Sequence, residues 1–272
     1  MSLFHALVLG IVQGLAEFLP ISSSGHLELV RWATGWDDFD DETIEQAFDV
    51  AVHIGTLVGA IAYLWRDVVS LTVAGLGPVF RRGPLDAEGR KAWFLVASAI
   101  PAGITGIVLG DVLAVDRIWL IAVCLIVFGL VLLWADNLTP RREEGSFGLR
   151  DGLLMGVGQA LALQPGVSRS GATISVARVL GFDRASAARL AFLMSLPVIA
   201  GAGLLRGASV ASDGLPSDLV GGFIVGMSAA AVTGWVAVWG TLKLVRSRTF
   251  LPFVIYRVLL GIVVLGALAL GA

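Results

Sequence analysis

Residues 118–134, "IWLIAVCLIVFGLVLLW", run without a single charged side chain. As a helix this stretch is about 25 Å long, close to the hydrocarbon thickness that roughly 20 apolar residues must cross. Five more segments share its character, at about 48–65, 93–113, 186–205, 219–242 and 252–271. A chain that is 57% hydrophobic and 15% charged cannot coat so much apolar helix, since soluble domains carry about 25% charged residues. The expected fold is therefore an all-α polytopic membrane protein, one integral membrane domain over residues 1–272. A formal charge of −2 with no basic tract gives no reason to expect nucleic acid as a partner. Cys124 stands alone, which excludes an internal disulfide. The N-terminus has no basic lead-in, and Gln13 and Glu17 interrupt its apolar run, so it reads as mature chain and not as a cleaved signal.

Two further apolar segments cannot span. Residues 2–20 end in Pro20 and "SSSGH", and 151–180 are broken by "QPGVSRSG". Irregular backbone at membrane depth survives only where protein or a watery cavity surrounds it. Both segments are expected to be re-entrant helical hairpins that dip in and return. With six spans crossing, the loops around 66–92, 135–150, 178–189 and 243–248 share one side and hold 14 Lys and Arg, against 3 on the other side, where the acidic run "DDFDDE" (37–42) also lies. Basic residues collect on cytoplasmic loops, so both termini are expected outside.

The two broken segments are also alike. "GIVQGLAEFLPISSSG" (10–25) and "GVGQALALQPGVSRSG" (156–171) match at 7 of 16 positions with an offset of 146. "AFDVAVHIGTLVGA" (47–60) echoes "AFLMSLPVIAGAG" (191–203) further on. The chain thus divides into a repeat at about 1–134 and a second at about 150–272. Three spans separate the hairpins, so the repeats enter from opposite faces, and inverted repeats place their site near the midplane where they meet. The tips, Ser22–His26 and Ser168–Thr173, are expected to touch. "VGGFIVGMSAAAVTG" (220–234) permits close helix packing, within one subunit or across a homodimer.

An unpaired guanidinium at this depth is costly, so Arg169 needs an anion, either Glu17 or a ligand. Its planar fork suits phosphate, and Ser168, Ser170 and Thr173 add hydroxyls, with a helix N-terminus following. Gln13 and Glu17, four residues apart, share a helical face and could help hold a hard divalent cation with diphosphate oxygens and water. Alternatively Glu17 orients His26 or carries a proton. His26 follows a serine-glycine turn and is a candidate base or nucleophile. Ser22, Ser23 and Ser24 are candidate nucleophiles, phosphate donors or helix caps.

"QGLAEFLPISSSGH" and "PGVSRSGATI" resemble, in order and separation, the two signature motifs of the undecaprenyl-diphosphate phosphatase family associated with bacitracin resistance, and "FLPFVIYR" (250–257) extends the likeness toward the C-terminus. The resemblance implies hydrolysis of undecaprenyl diphosphate to the monophosphate and inorganic phosphate, recycling a cell-wall lipid carrier at the outer face of the bacterial plasma membrane. It implies a divalent cation, magnesium or calcium, and a polyprenyl diphosphate substrate drawn from membrane lipid. By position it puts the family's (E/Q)xxxE pair on Gln13 and Glu17, its serine on Ser23, its histidine on His26 and its arginine on Arg169. Gln13 replaces the Glu of some members and weakens a two-carboxylate metal site. A polyprenyl-phosphate flippase or anion transporter would use inverted repeats, broken helices and a midplane arginine equally well.

Overall fold

The structure, a computed structural model, describes residues 1–36, 38, 42–81, 83–113, 115, 117–213 and 216–271. The acidic run of 37–42, apart from Asp38 and the backbone of Glu42, lies outside the described residues, as does Arg82. Among these described residues twelve α-helices follow in chain order. They are α1 (Leu3–Phe18), α2 (Ser23–Thr34), α3 (Glu42–Tyr63), α4 (Trp65–Arg81), α5 (Ala87–Ala97), α6 (Ala99–Leu113), α7 (Ile118–Asp136), α8 (Leu149–Leu161), α9 (Arg169–Val179), α10 (Arg184–Asp213), α11 (Val220–Leu244) and α12 (Leu251–Ala269).

Among the described residues six stretches are long and apolar enough to cross a membrane, Thr43–Tyr63, Ala87–Leu109, Ile118–Asp136, Arg184–Leu205, Val220–Leu244 and Leu251–Ala269. They coincide with the six segments read from sequence, with two differences. The second candidate span begins earlier, at Ala87, and is divided into α5 and α6 at Ser98. Pro101 has no N–H to give Ala97, and the Ser98 hydroxyl donates instead to the Leu95 carbonyl at 2.5 Å. The stretch 66–92, read as a loop, contains α4. Its apolar residues continue for a further helix after α3 bends at Leu64, with Leu71 facing the core and Val69, Val73 and Phe80 exposed.

Small residues let backbones touch in the core. A Cβ on Gly10 would collide with the Gly226 carbonyl, and one on Gly59 with the Ala231 carbonyl. The glycine-rich face of α11 therefore packs against α1 and α3 of its own chain. On the far side, α7 and α12 pair closely, and a Cβ on Gly261 would stand 2.7 Å from the Ala122 carbonyl. α8 and α9 sit against α6, α7 and α10. Arg178, fully buried at the end of α9, donates to the carbonyls of Phe182 and Asp136 at 2.6 and 2.9 Å, which fixes that end to the last residue of α7.

Candidate active site

Neither α1 nor α8 continues smoothly into its successor. Each is followed by a turn ending at a serine, Ser22 (φ 79°, ψ 97°) and Ser168 (φ 74°, ψ 112°). Among the described residues these are the only non-glycine residues with positive φ, and they are 146 positions apart, the offset of the sequence repeat. Such backbone costs about 1–3 kcal/mol and must be held by its surroundings. The two turns hold each other. Ser22 Oγ accepts from the Gly166 N–H at 2.9 Å, and Ser170 Oγ donates to the Leu19 carbonyl at 3.0 Å. Gly166 (φ 92°) can only be glycine here, because a Cβ would lie 2.5 Å from the Ile121 carbonyl oxygen.

Arg257 of α12 completes the clasp. Its guanidinium is fully buried and donates to Pro20 O (3.0 Å) on the first turn, to Gly166 O (2.9 Å) and Val167 O (3.0 Å) on the second, and to Leu125 O (3.1 Å) on α7. One planar cation thus ties the carbonyls of both turns to α7. Arg257→Met is expected to lower stability by at least about 3 kcal/mol, since buried carbonyls left unpaired each cost about 1–3 kcal/mol. Arg257→Lys should recover only part, because an ammonium cannot fan across so many acceptors. Thermal unfolding in detergent checks both.

Beside the clasp lies a cavity of about 600 Å³. Its polar wall carries Glu17, Ser22, Ser23, Ser24, His53 and Arg169, and its remaining walls are mostly the small and aliphatic side chains of α6 and α10. Helices α2 and α9 both begin at this wall, so two positive helix ends adjoin the cavity.

Glu17 is the hub. Its side chain is only 2% exposed. One oxygen, Oε1, is ion-paired with Arg169 Nη2. The other, Oε2, accepts from Ser23 Oγ at 2.6 Å and from Gln13 Nε2 at 2.9 Å, with His53 Nε2 at 3.5 Å. Arg169 keeps 20% of its side chain exposed, so the guanidinium is held by the carboxylate yet faces open space. Of the residues expected from sequence, Glu17, Ser22, Ser23, Ser24 and Arg169 share this cavity wall. Gln13 lies one layer behind, fully buried, its amide nitrogen on Glu17 and its Oε1 without a partner among the described residues. Ser168, Ser170 and Thr173 also lie behind it, buried and engaged with Gly171 N–H, the Leu19 carbonyl and the Arg169 carbonyl respectively. They shape the second turn and do not line the cavity.

His26 is likewise set apart. Its Nδ1 lies 2.7 Å from the Ser22 carbonyl, which can only accept, so Nδ1 carries the proton. In the neutral ring, Nε2 then accepts from the Tyr256 hydroxyl at 2.8 Å, and the two rings stack at 16°. The imidazole braces the strained Ser22 backbone and is not among the cavity's lining groups. His53 lines the cavity instead, its Nδ1 donating to the Asp49 carbonyl at 2.6 Å. The sequence reading missed Arg257, Tyr256 and the cavity-facing Gln159. For Arg257 a signal existed, a second arginine inside an apolar span.

A model described as bacitracin resistance protein BacA matches residues 6–263. A protein named undecaprenyl-diphosphatase from Thermomicrobium roseum is 41% identical, the match covering 97% of this chain and 98% of that one. Proteins of the same name from Desulforudis audaxviator and Geobacter sulfurreducens are 44% and 43% identical, covering 97% and 98% of this chain and 97% and 99% of theirs.

Proposed function

This chain belongs to the bacitracin resistance protein BacA family, and from that premise we propose that it hydrolyses undecaprenyl diphosphate to undecaprenyl phosphate and inorganic phosphate. The observation that carries the reading is the hydroxyl–carboxylate–guanidinium chain Ser23–Glu17–Arg169 at the polar end of an otherwise apolar cavity. A lipid diphosphate has the matching shape, an anionic head on an apolar tail.

Arg169 leaves Glu17 for the incoming phosphate oxygens, a planar fork meeting a tetrahedral anion, with the N-termini of α2 and α9 adding backbone donors. The carboxylate, released by Arg169, takes the Ser23 proton through Oε2, which already accepts from that hydroxyl. Ser23 Oγ bonds to the terminal phosphorus, the bridging P–O bond breaks, and undecaprenyl phosphate departs with the bonding pair. Water then attacks the phosphoserine, its oxygen and both hydrogens leaving with inorganic phosphate, while Glu17 returns its proton to Ser23 Oγ and so restores the hydroxyl and the carboxylate. In this scheme Ser23 is the nucleophile, Glu17 the base, and His26 a positioning residue.

The divalent cation implied by the family would rest on Glu17 and Gln13. Gln13 Oε1, buried and unpartnered, is the kind of acceptor a cation satisfies. Among the described residues no three His, Cys, Asp or Glu cluster as metal ligands, so diphosphate oxygens and water would complete the shell. The ion would supply neutralisation of phosphate charge.

In our reading α1–α2 and α8–α9 are re-entrant hairpins of an inverted repeat. Their helices have 16, 12, 13 and 11 residues, each shorter than a bilayer requires, and their turns carry equivalent strained serines. The charge asymmetry of the loops supports termini and cavity mouth on the outer side of a bacterial plasma membrane.

Purified protein in detergent should release inorganic phosphate from undecaprenyl diphosphate, stop on adding EDTA and resume with magnesium or calcium. Release untouched by EDTA would remove the cation. Tight binding with no turnover would reject the hydrolase and favour a carrier.

A further inference from the structure

Gln159 of α8 is 2% exposed, lines the same cavity as Glu17 and Arg169, and has, among the described residues, no hydrogen-bond partner for either its amide nitrogen or its amide oxygen. Buried amides are nearly always paired, so a side chain with both atoms unclaimed is an anomaly. The repeat makes the anomaly sharper. Gln159 is the counterpart of Gln13, whose amide donates to Glu17 four residues later. The residue four after Gln159 is Leu163, which offers nothing to bond. The second half of the molecule therefore keeps the amide and lacks its partner. Packing does not call for it, since leucine or methionine fills similar space without an unpaired donor.

We propose that Gln159 is a substrate-binding residue whose Nε2–H donates to a diphosphate oxygen, with its Oε1 taking a hydrogen bond from water held by the same phosphate. This rests on the phosphatase reading of the cavity. Glu17 and Arg169 are contributed by α1 and α9, so an amide on α8 gives the head group a further direction of contact. It adds a donor without adding charge.

Gln159→Leu and Gln159→Glu, with wild type alongside, are tested in three ways: turnover of undecaprenyl diphosphate, affinity for inorganic diphosphate by calorimetry, and thermal unfolding in detergent. Gln159→Leu should unfold at the wild-type temperature or above it. It should lose about tenfold in kcat/KM and in inorganic-diphosphate affinity, the scale of one hydrogen bond to a charged group. Gln159→Glu, which puts a carboxylate against phosphate, should lose more in both. Overturning results are turnover and affinity within twofold of wild type, or losses that follow a lowered unfolding temperature, which would make the amide structural. A wild type that binds inorganic diphosphate but hydrolyses nothing would sink the phosphatase reading, and the affinity comparison would still decide the role of Gln159.

Discussion

Arg169→Ala is expected to lower kcat/KM for undecaprenyl diphosphate by at least about 10³-fold, the upper range for loss of a single preorganised transition-state donor. The loss should exceed what binding alone explains, because Arg169 does two things. Before substrate binds it neutralises a carboxylate that is 2% exposed, and with substrate it spreads charge over the terminal phosphoryl group. Arg169→Lys restores the charge but not the bidentate fork, so it should recover only a small part of the rate. Steady-state phosphate release gives the numbers, and circular dichroism with thermal unfolding in detergent shows whether the fold persists. Arg169→Ala activity within several-fold of wild type would reject the assignment.

Ser23→Ala carries the other large effect. If its hydroxyl is the nucleophile, turnover should fall by at least about 10³-fold while inorganic diphosphate still binds, since Arg169 and the two helix N-termini remain. Acid quenching during turnover should leave phosphate on the wild-type peptide that contains Ser23. A variant that keeps most of its rate, or phosphate found on His26 or His53, would move the attacking atom elsewhere. The surroundings favour Ser23 for a physical reason. Its hydroxyl already donates to Glu17 at 2.6 Å, whereas Nε2 of His26 is occupied by Tyr256.

The large features of this molecule are legible in its sequence because lipid leaves few alternatives. Six apolar runs have little choice but to be helices, and an arginine and a glutamate stranded in such a chain have few partners besides each other. Glu17 and Arg169 do pair, and the repeat offset of 146 reappears as two serines with the same rare backbone. What stays hidden depends on side-chain direction. Sequence spacing cannot show that Thr173 turns back to its own helix or that His26 points away from the cavity toward α12. Helix α4 escapes notice because its run of Val, Leu and Gly follows α3 almost at once, with only a bend between. The isolation of Gln159 is invisible for a related reason. In sequence it is a copy of Gln13 with Leu163 where the first repeat has Glu17, and only the fold reveals that no other described group takes that partner's place.

If Glu17 and Arg169 serve one reaction from two halves of the chain, their contributions should not be independent. The decisive measurement is a double-mutant cycle in kcat/KM for undecaprenyl diphosphate, using Glu17→Gln, Arg169→Ala and both together. We expect the double variant to be no worse than the poorer single one, as for groups acting as a unit. Losses that multiply would mean two independent sites, and the shared diphosphate site would have to be abandoned.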